Sequence, residues 1–147
     1  MNELFYTKEY LLEQLYALES VNPVKKITQP SDVLSSIQKY AYKTQEHFLS
    51  ISLNGNHEVI DTIVVSVGLV NRTLVHPREI FRQAIFNNAS AIIIAHNHPS
   101  GNMQPSAEDV QITKRIFEAG KIVGIEVLDH IIITNKGYYS FLEDGAL

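Results

Sequence analysis

Two histidines and one aspartate carry the clearest chemical signal in this chain. His96 and His98 stand two positions apart at the end of the apolar run Ala91–Ala95, and Asp109 follows eleven positions after His98. Because side chains at positions i and i+2 of a β-strand point to the same face of the sheet, we expect both imidazoles to face one way. Two imidazole nitrogens and one carboxylate oxygen are typical zinc ligands, and three protein ligands leave a fourth position for water, as in catalytic zinc sites. The spacing therefore predicts a three-ligand metal site.

The same residues allow two other interpretations. Ser106 and Asp109 have the spacing of a capping box, in which a serine and an acidic residue three positions later bind each other's backbone N–H groups. This role is compatible with metal binding, because the cap and the ligand both belong to the first turn of a helix. His96, Asn97 and His98 spell the letters of the HNH nucleases. The residues of that motif are spread over a ββα unit, so three adjacent letters give no support for a nuclease.

Composition limits the chemistry and the partners. The chain has 147 residues, of which 45% are hydrophobic, and this fits one globular domain with a substantial core. It has no cysteine, so zinc here must be held by histidine and carboxylate side chains. The formal net charge of −4 argues against a general nucleic-acid binder, because such proteins neutralise phosphates. We interpret the neighbouring Arg72, Arg78 and Arg82 as a solvated helix face and its approach.

No segment of the sequence predicts a membrane or secretory location. The longest aliphatic runs, Ala91–Ala95 and Ile131–Ile133, are much shorter than a bilayer span. Residues Met1–Leu4 show neither the basic region nor the apolar region of a signal peptide. We therefore expect a cytoplasmic protein that does not bind membranes.

Hydrophobic periodicity and breaker residues predict nine elements in the order α, α, β, β, α, β, α, β, β. The predicted helices cover residues 8–19, 30–41, 77–86 and 106 to about Gly120, and the predicted strands cover 48–53, 59–67, 91–95, 125–133 and 138–142. This order predicts an α/β (α+β) fold, a mixed β-sheet with helices packed against it. We expect a helical extension over residues 1–27 and a single core domain over residues 28–147. The amphipathic first helix is equally suited to packing on its own core and to forming a homodimer.

The separated motifs resemble a known family. His96-x-His98-Pro99, followed after six residues by Ser106-x-x-Asp109, resembles the JAMM motif of the MPN+ metalloproteases. The longer pattern His-Asn-His-Pro-Ser-Gly with Pro-Ser-x-x-Asp resembles the RadC family of bacterial JAMM-like proteins. Further matches to RadC lie at Val75–Phe81, Gly124–Ile125, Leu128–His130 and Tyr139–Phe141. The resemblance spans residues 28–147 and implies a JAMM/MPN-like fold with a cytidine deaminase-like architecture.

The resemblance also implies a role for individual residues. It implies zinc held by His96, His98 and Asp109, and a serine, here Ser106, that steadies the tetrahedral intermediate. The family's catalytic glutamate lies upstream on the first core strand, and Glu46 matches that position best. Glu79 is the rival, although an acidic residue in the first turn of a helix also has a structural reason to be there. Asp129-His130 is either a pair that orients a ligand imidazole or a simple buried polar pair.

Two functions follow as hypotheses. The first is a zinc metalloprotease or isopeptidase that hydrolyses an amide bond in a protein or peptide substrate. The second is a non-catalytic or accessory module in DNA repair or mobile-element biology that keeps a zinc site. Full-length RadC proteins usually carry an N-terminal helix-hairpin-helix domain, for which we expect no room in this chain. The lack of that domain and the acidic net charge favour the enzyme over a DNA-binding module.

Overall fold

A mixed five-stranded sheet forms the centre of the molecule. The computed structural model describes residues 10–11, 25–68 and 75–147. The strands are β1 (His47–Leu53), β2 (Val59–Val67), β3 (Ala91–Asn97), β4 (Glu126–Ile133) and β5 (Tyr138–Ser140). They lie in the order β2-β1-β3-β4-β5, and within this sheet only the β3–β4 pair is parallel. The predicted fold class is confirmed.

Helices cover both faces of the sheet. They are α1 (Leu34–Ile37), which is flanked by the 3₁₀ turns Pro30–Val33 and Gln38–Tyr40, α2 (Pro77–Phe86) and α3 (Ala107–Val123). The helix α3 crosses from β3 to its parallel neighbour β4, as parallel strands require.

Two apolar cores result, one on each face. Val33 and Ile37 pack with the odd-numbered residues of β1 and β3, whereas α2 and α3 pack over the even-numbered residues of β3. All seven residues of β3 are buried, as expected of a central strand covered on both faces.

Several elements differ from the sequence-based expectation. The helix predicted over residues 30–41 is α-helical only over Leu34–Ile37, with a 3₁₀ turn on either side. The strand β3 continues to Asn97 instead of ending at Ala95, so His96 lies within the sheet. The helix α3 passes through Gly120 and ends at Val123, with Gly124 as its left-handed cap at φ 80°. The strand β5 ends at Ser140 instead of Leu142.

A buried carboxylate explains the early end of β5. Asp129 accepts hydrogen bonds from the Ser140 hydroxyl at 2.6 Å and from the Leu142 backbone N–H at 3.0 Å. These bonds hold the start of the turn over residues 141–145 that follows Ser140. Burial raises the pKa of Asp129, although its hydrogen bonds act in the opposite direction.

Some expectations fall outside the described residues. This group contains Arg72, most of the 1–27 extension and the predicted helix over residues 8–19, of which only the helical residues 10–11 are described. Within the part of the chain that the structure describes, no helix has the length and apolarity needed to cross a bilayer.

Candidate metal centre

The end of a strand and the start of a helix bring the predicted ligands together. His96 is fully buried near the end of β3, with its ring stacked on Phe48 at 5.9 Å between centroids. His98 is the first residue after the strand, and its backbone N–H bonds to the Ile133 carbonyl of β4 at 3.0 Å. Asp109 lies in the first turn of α3 and is also buried. The three residues therefore meet at the carboxyl end of β3.

The three side chains meet at distances that suit a small cation. Nε2 of His96 lies 2.9 Å from Nε2 of His98. The carboxylate of Asp109 lies 3.3 Å from His96 Nε2 through Oδ1 and 3.2 Å from His98 Nε2 through Oδ2. Ligands about 2.0–2.1 Å from a tetrahedral zinc are about 3.3 Å from one another. Among the described residues, these three form the group of histidine and acidic side chains that could hold a metal ion.

The hydrogen bond made by Nδ1 of His98 leaves Nε2 of the same ring available as a metal ligand. Its Nδ1 lies 2.7 Å from the backbone carbonyl of Asn102. A carbonyl can only accept, so Nδ1 carries the proton and Nε2 of the neutral ring carries a lone pair. His98 therefore presents its lone pair to His96 and Asp109.

A longer chain of hydrogen bonds has the same effect on His96. The Thr113 hydroxyl donates to the Asp109 carbonyl at 2.6 Å, so at 2.5 Å it accepts from Nδ1 of His130. Nε2 of a neutral His130 then accepts from Nδ1 of His96 at 2.8 Å. This directs the lone pair of His96 Nε2 towards the other two ligands.

Burial keeps the imidazole of His130, which lies between Thr113 and His96, neutral. Burial, followed by the charge of His96, holds the pKa of His130 well below its usual value. The ring lies between Phe48, at 5.6 Å, and Phe141, at 4.9 Å. It is therefore both uncharged and sterically confined.

The electrostatics favour a positive charge at the centre. Burial acts to raise the pKa of Asp109, but its contacts with His96 and His98 outweigh burial and hold that pKa far below its usual range. Burial acts to lower the pKa of His98, yet the bonds to Asp109 and Asn102 and the charges of Asp109 and Glu46 raise it overall. Two lone pairs and a carboxylate in contact repel one another unless a proton or a metal ion lies among them. The donor set therefore fits a divalent cation.

Ser106 forms the cap that its spacing predicts. Its hydroxyl accepts from the Asp109 N–H at 3.1 Å, and its own N–H donates to Asp109 Oδ2 at 2.7 Å. The capping box is therefore present, and it also fixes the carboxylate that faces the two histidines. A hydroxyl that accepts one bond can still donate another.

The two glutamates weighed as a general base lie in different surroundings. Glu46 immediately precedes β1, whose register places Phe48 opposite His96. Its charge contributes to the raised pKa of His98. Glu79 lies in the first turn of α2 with a half-exposed side chain, 3.4 Å from Arg78 Nε. These surroundings favour Glu46, and its catalytic role stays a prediction.

The remaining histidines lie elsewhere. His47 contacts the Gln45 carbonyl and the Tyr40 ring, His57 occupies an exposed turn at φ 59°, and His76 caps α2 by accepting from the Arg78 N–H at 3.0 Å.

Sequence reasoning missed two residues beside the centre: Thr113, which bonds to His130, and Asn97, which bonds to the backbone of residues 45 and 47. Thr113 gave a weak signal, because it stands one helical turn after Asp109 on the inward face. Asn97 gave a weak signal too, because it stands between the two histidines at the end of a strand with a long apolar run.

The fold and the centre together define a class, an α/β protein with a candidate metal centre of two histidines and one aspartate at a sheet edge. A family model described as a RadC-like JAB domain matches residues 27–146. This chain belongs to the RadC-like JAB domain family.

Curated relatives bear the name UPF0758 protein. One from Methanospirillum hungatei is 52% identical over 124 residues, which cover 83% of this chain and 55% of the relative. One from Alkaliphilus metalliredigens is 50% identical over 123 residues, covering 83% and 53%. One from Staphylococcus haemolyticus is 45% identical over 134 residues, covering 90% and 58%. The chain thus spans about half the length of the curated relatives it matches.

Proposed function

We propose that this chain is a metal-dependent hydrolase of the metalloprotease or isopeptidase type, with zinc as the cation and an amide bond of a protein or peptide as the substrate. The observation that carries the proposal is the convergence of His96 Nε2, His98 Nε2 and the Asp109 carboxylate within hydrogen-bonding distance. Family membership supports it, since the matched domain is of the JAB type.

Zinc in this place would supply Lewis-acid chemistry, polarising a carbonyl and lowering the pKa of water. His96, His98 and Asp109 would hold it. Because the cap bonds already fix Asp109 and hydrogen bonds fix both imidazoles, little reorganisation accompanies binding.

Glu46 and Ser106 supply the remaining chemistry in this proposal. The Glu46 carboxylate takes a proton from the attacking water and passes it to the leaving amine, acting first as general base and then as general acid. The Ser106 hydroxyl donates to the oxygen of the substrate carbonyl as negative charge develops there. Its position at the start of α3 adds the positive end of the helix dipole.

Metal analysis and turnover test the proposal together. We expect about one zinc per purified chain, and loss of that zinc in His96→Ala and His98→Ala. A library of internally quenched peptides then serves as the probe for cleavage. Glu46→Gln is expected to keep the zinc and lose cleavage, whereas Glu79→Gln, the matched control, is expected to keep both. Unchanged zinc content in the histidine variants would refute the centre.

These measurements, together with an assay of DNA binding, separate the enzyme from the accessory module. Zinc binding without cleavage, together with salt-dependent DNA binding lost on Arg78→Ala and Arg82→Ala, would favour the module. Arg78 lies beside Glu79 at 3.4 Å, which reduces the positive charge it offers to a phosphate.

A further inference from the structure

The carboxamide of Asn97 joins the end of β3 to the start of β1, beside the candidate centre. Asn97 is fully buried at the end of β3. Its Oδ1 accepts from the His47 N–H at 2.6 Å, and its Nδ2 donates to the Gln45 carbonyl at 3.0 Å. These two backbone groups stand on either side of Glu46.

The side chain replaces backbone pairing where the strands part. The antiparallel register of β1 with β3 ends at Phe48 and His96. Beyond that point β3 stays with β4, and the His98 N–H bonds to Ile133. The backbone groups of Gln45 and His47 that face β3 are therefore paired by a side chain rather than by the ladder.

The bonds around Glu46 come from both neighbouring strands. On the side of β2, the Gly68 N–H donates to the Glu46 carbonyl at 2.8 Å. On the side of β3, the Asn97 carboxamide holds the residues before and after it. Three hydrogen bonds thus fix the backbone from which the Glu46 side chain extends.

We propose that Asn97 is a positioning residue that holds residues 45–47 so that the Glu46 carboxylate faces the centre formed by His96, His98 and Asp109. The inference rests on the proposed function, which gives Glu46 its task. It also gives the residue between the two histidines a role of its own, because alternation directs its side chain away from the metal ligands. Glu46 stands two positions before Phe48, the partner of His96 in the register of β1 with β3, so alternation directs its side chain to the same face as that of His96.

A purely structural role for Asn97 is the competing explanation, and the chain offers a matched control for it. Asn54, at the other end of β1, accepts from the N–H groups of Asn56 and Glu58 at 2.9 Å and donates to the Glu58 carboxylate at 2.7 Å. Asn54→Ala therefore removes a comparable set of bonds from the turn that follows β1, at the end of the strand away from Glu46.

Paramagnetic NMR measures the position of Glu46 without a substrate. Protein with ¹³C-labelled glutamate carboxylates is loaded with Co²⁺, and the Zn²⁺-loaded protein is the diamagnetic reference. The Glu46 resonance is assigned by its loss in Glu46→Gln. In the unaltered protein and in Asn54→Ala we expect a large Co²⁺-induced shift. In Asn97→Ala that shift is expected to fall by half or more while the visible absorption of bound Co²⁺ persists.

A second variant, Asn97→Asp, keeps the test decisive if Asn97→Ala does not fold. Asn97→Asp keeps the side-chain volume and the acceptor for the His47 N–H, but it places a carboxylate oxygen against the Gln45 carbonyl. We expect the same loss of shift. An unchanged Glu46 shift in both Asn97 variants with Co²⁺ bound would overturn the inference alone. Failure of the unaltered protein to take up Co²⁺ would overturn the proposed metal centre, and the inference with it.

Discussion

Nδ1 of His96 lies 2.8 Å from Nε2 of His130, a residue 34 positions further along the chain. Both residues are fully buried, on neighbouring parallel strands. Because the Thr113 hydroxyl fixes the proton on Nδ1 of His130, that imidazole accepts from His96 and sets its tautomer. The tautomer of His96 that could bind a metal ion is therefore fixed by the packed interior.

Replacing His130 by Phe tests this series of hydrogen bonds. The ring keeps its place between Phe48 and Phe141 but cannot accept a hydrogen bond, so we expect the zinc affinity to fall about 10–100-fold. Competition with a chromogenic chelator measures this change. His57→Asn, which removes an exposed histidine from a turn with positive φ, is the control and is expected to have no effect. Equal zinc affinity in His130→Phe and the unaltered protein would contradict the assignment.

The metal-free protein is expected to lose stability as the pH rises above 6.5. The pKa of His98 is raised in the folded state, so its stabilising contact with Asp109 is complete below the usual value of 6.5 and is lost as the pH rises through the folded pKa. The lowered pKa of His130 acts only below 6.5, because above it this ring is neutral in both states. The lowered pKa of Asp109 matters only in acid, near and below its usual 3.8.

Zinc affinity is expected to change in the opposite direction over the same range. Protons compete with the metal for His98 Nε2, so the affinity increases with pH until the raised pKa is passed. Urea unfolding of chelator-treated protein and zinc titration over a pH series measure the two trends. In His98→Asn the decrease in stability above pH 6.5 is expected to disappear, and a decrease that survives this substitution would assign it to another group.

Ser106 serves as a helix cap and as a proposed oxyanion donor, and two substitutions separate these roles. Ser106→Ala removes the cap and is expected to lower the free energy of unfolding by about 1 kcal/mol, whereas Ser106→Gly costs only a few tenths. Both lack the hydroxyl, so both are expected to lower peptide cleavage by about 10²–10³-fold. Urea unfolding and cleavage rates measure the two effects. If Ser106→Gly, which keeps most of the stability, also keeps most of the cleavage rate, Ser106 acts only as a cap.

Gly120 is expected to resist substitution although it lies inside a helix. Alanine in an open helix is more stable than glycine by about 1 kcal/mol. Here a Cβ would lie 2.6 Å from the Ile125 carbonyl oxygen and 3.0 Å from Val127 Cγ2. We therefore expect Gly120→Ala to destabilise the protein by about 1–3 kcal/mol in urea unfolding. A more stable Gly120→Ala variant would show that α3 can move away from β4.

Gly124 provides the comparison for Gly120. A Cβ at Gly124 meets no atom within 4 Å, but the residue has φ 80°. Gly124→Ala is therefore expected to cost about 1–2 kcal/mol through the backbone alone. Shortening the neighbour in Val127→Ala is expected to reduce the cost of Gly120→Ala and to leave that of Gly124→Ala unchanged.

The sequence alone determined the elements and the candidate ligands that local patterns encode. Periodicity predicted β2 and α2 with the bounds that the structure shows, because alternation and helical spacing depend on neighbouring residues. The cap formed by Ser106 and Asp109 was predicted for the same reason. The distance between His96 and His98 followed from their separation by two positions along one chain.

Only the tertiary structure decided the contacts between distant segments. Residues 125 and 127 approach Gly120 too closely for a Cβ, which gives this glycine a place inside the helix, and the end of β5 depended on the burial of Asp129. The pairing of His130 with His96, and of Asn97 with residues 45–47, depended on strand order and register. Local propensity does not specify which strands become neighbours, since that choice is made by the burial of both faces of the whole sheet.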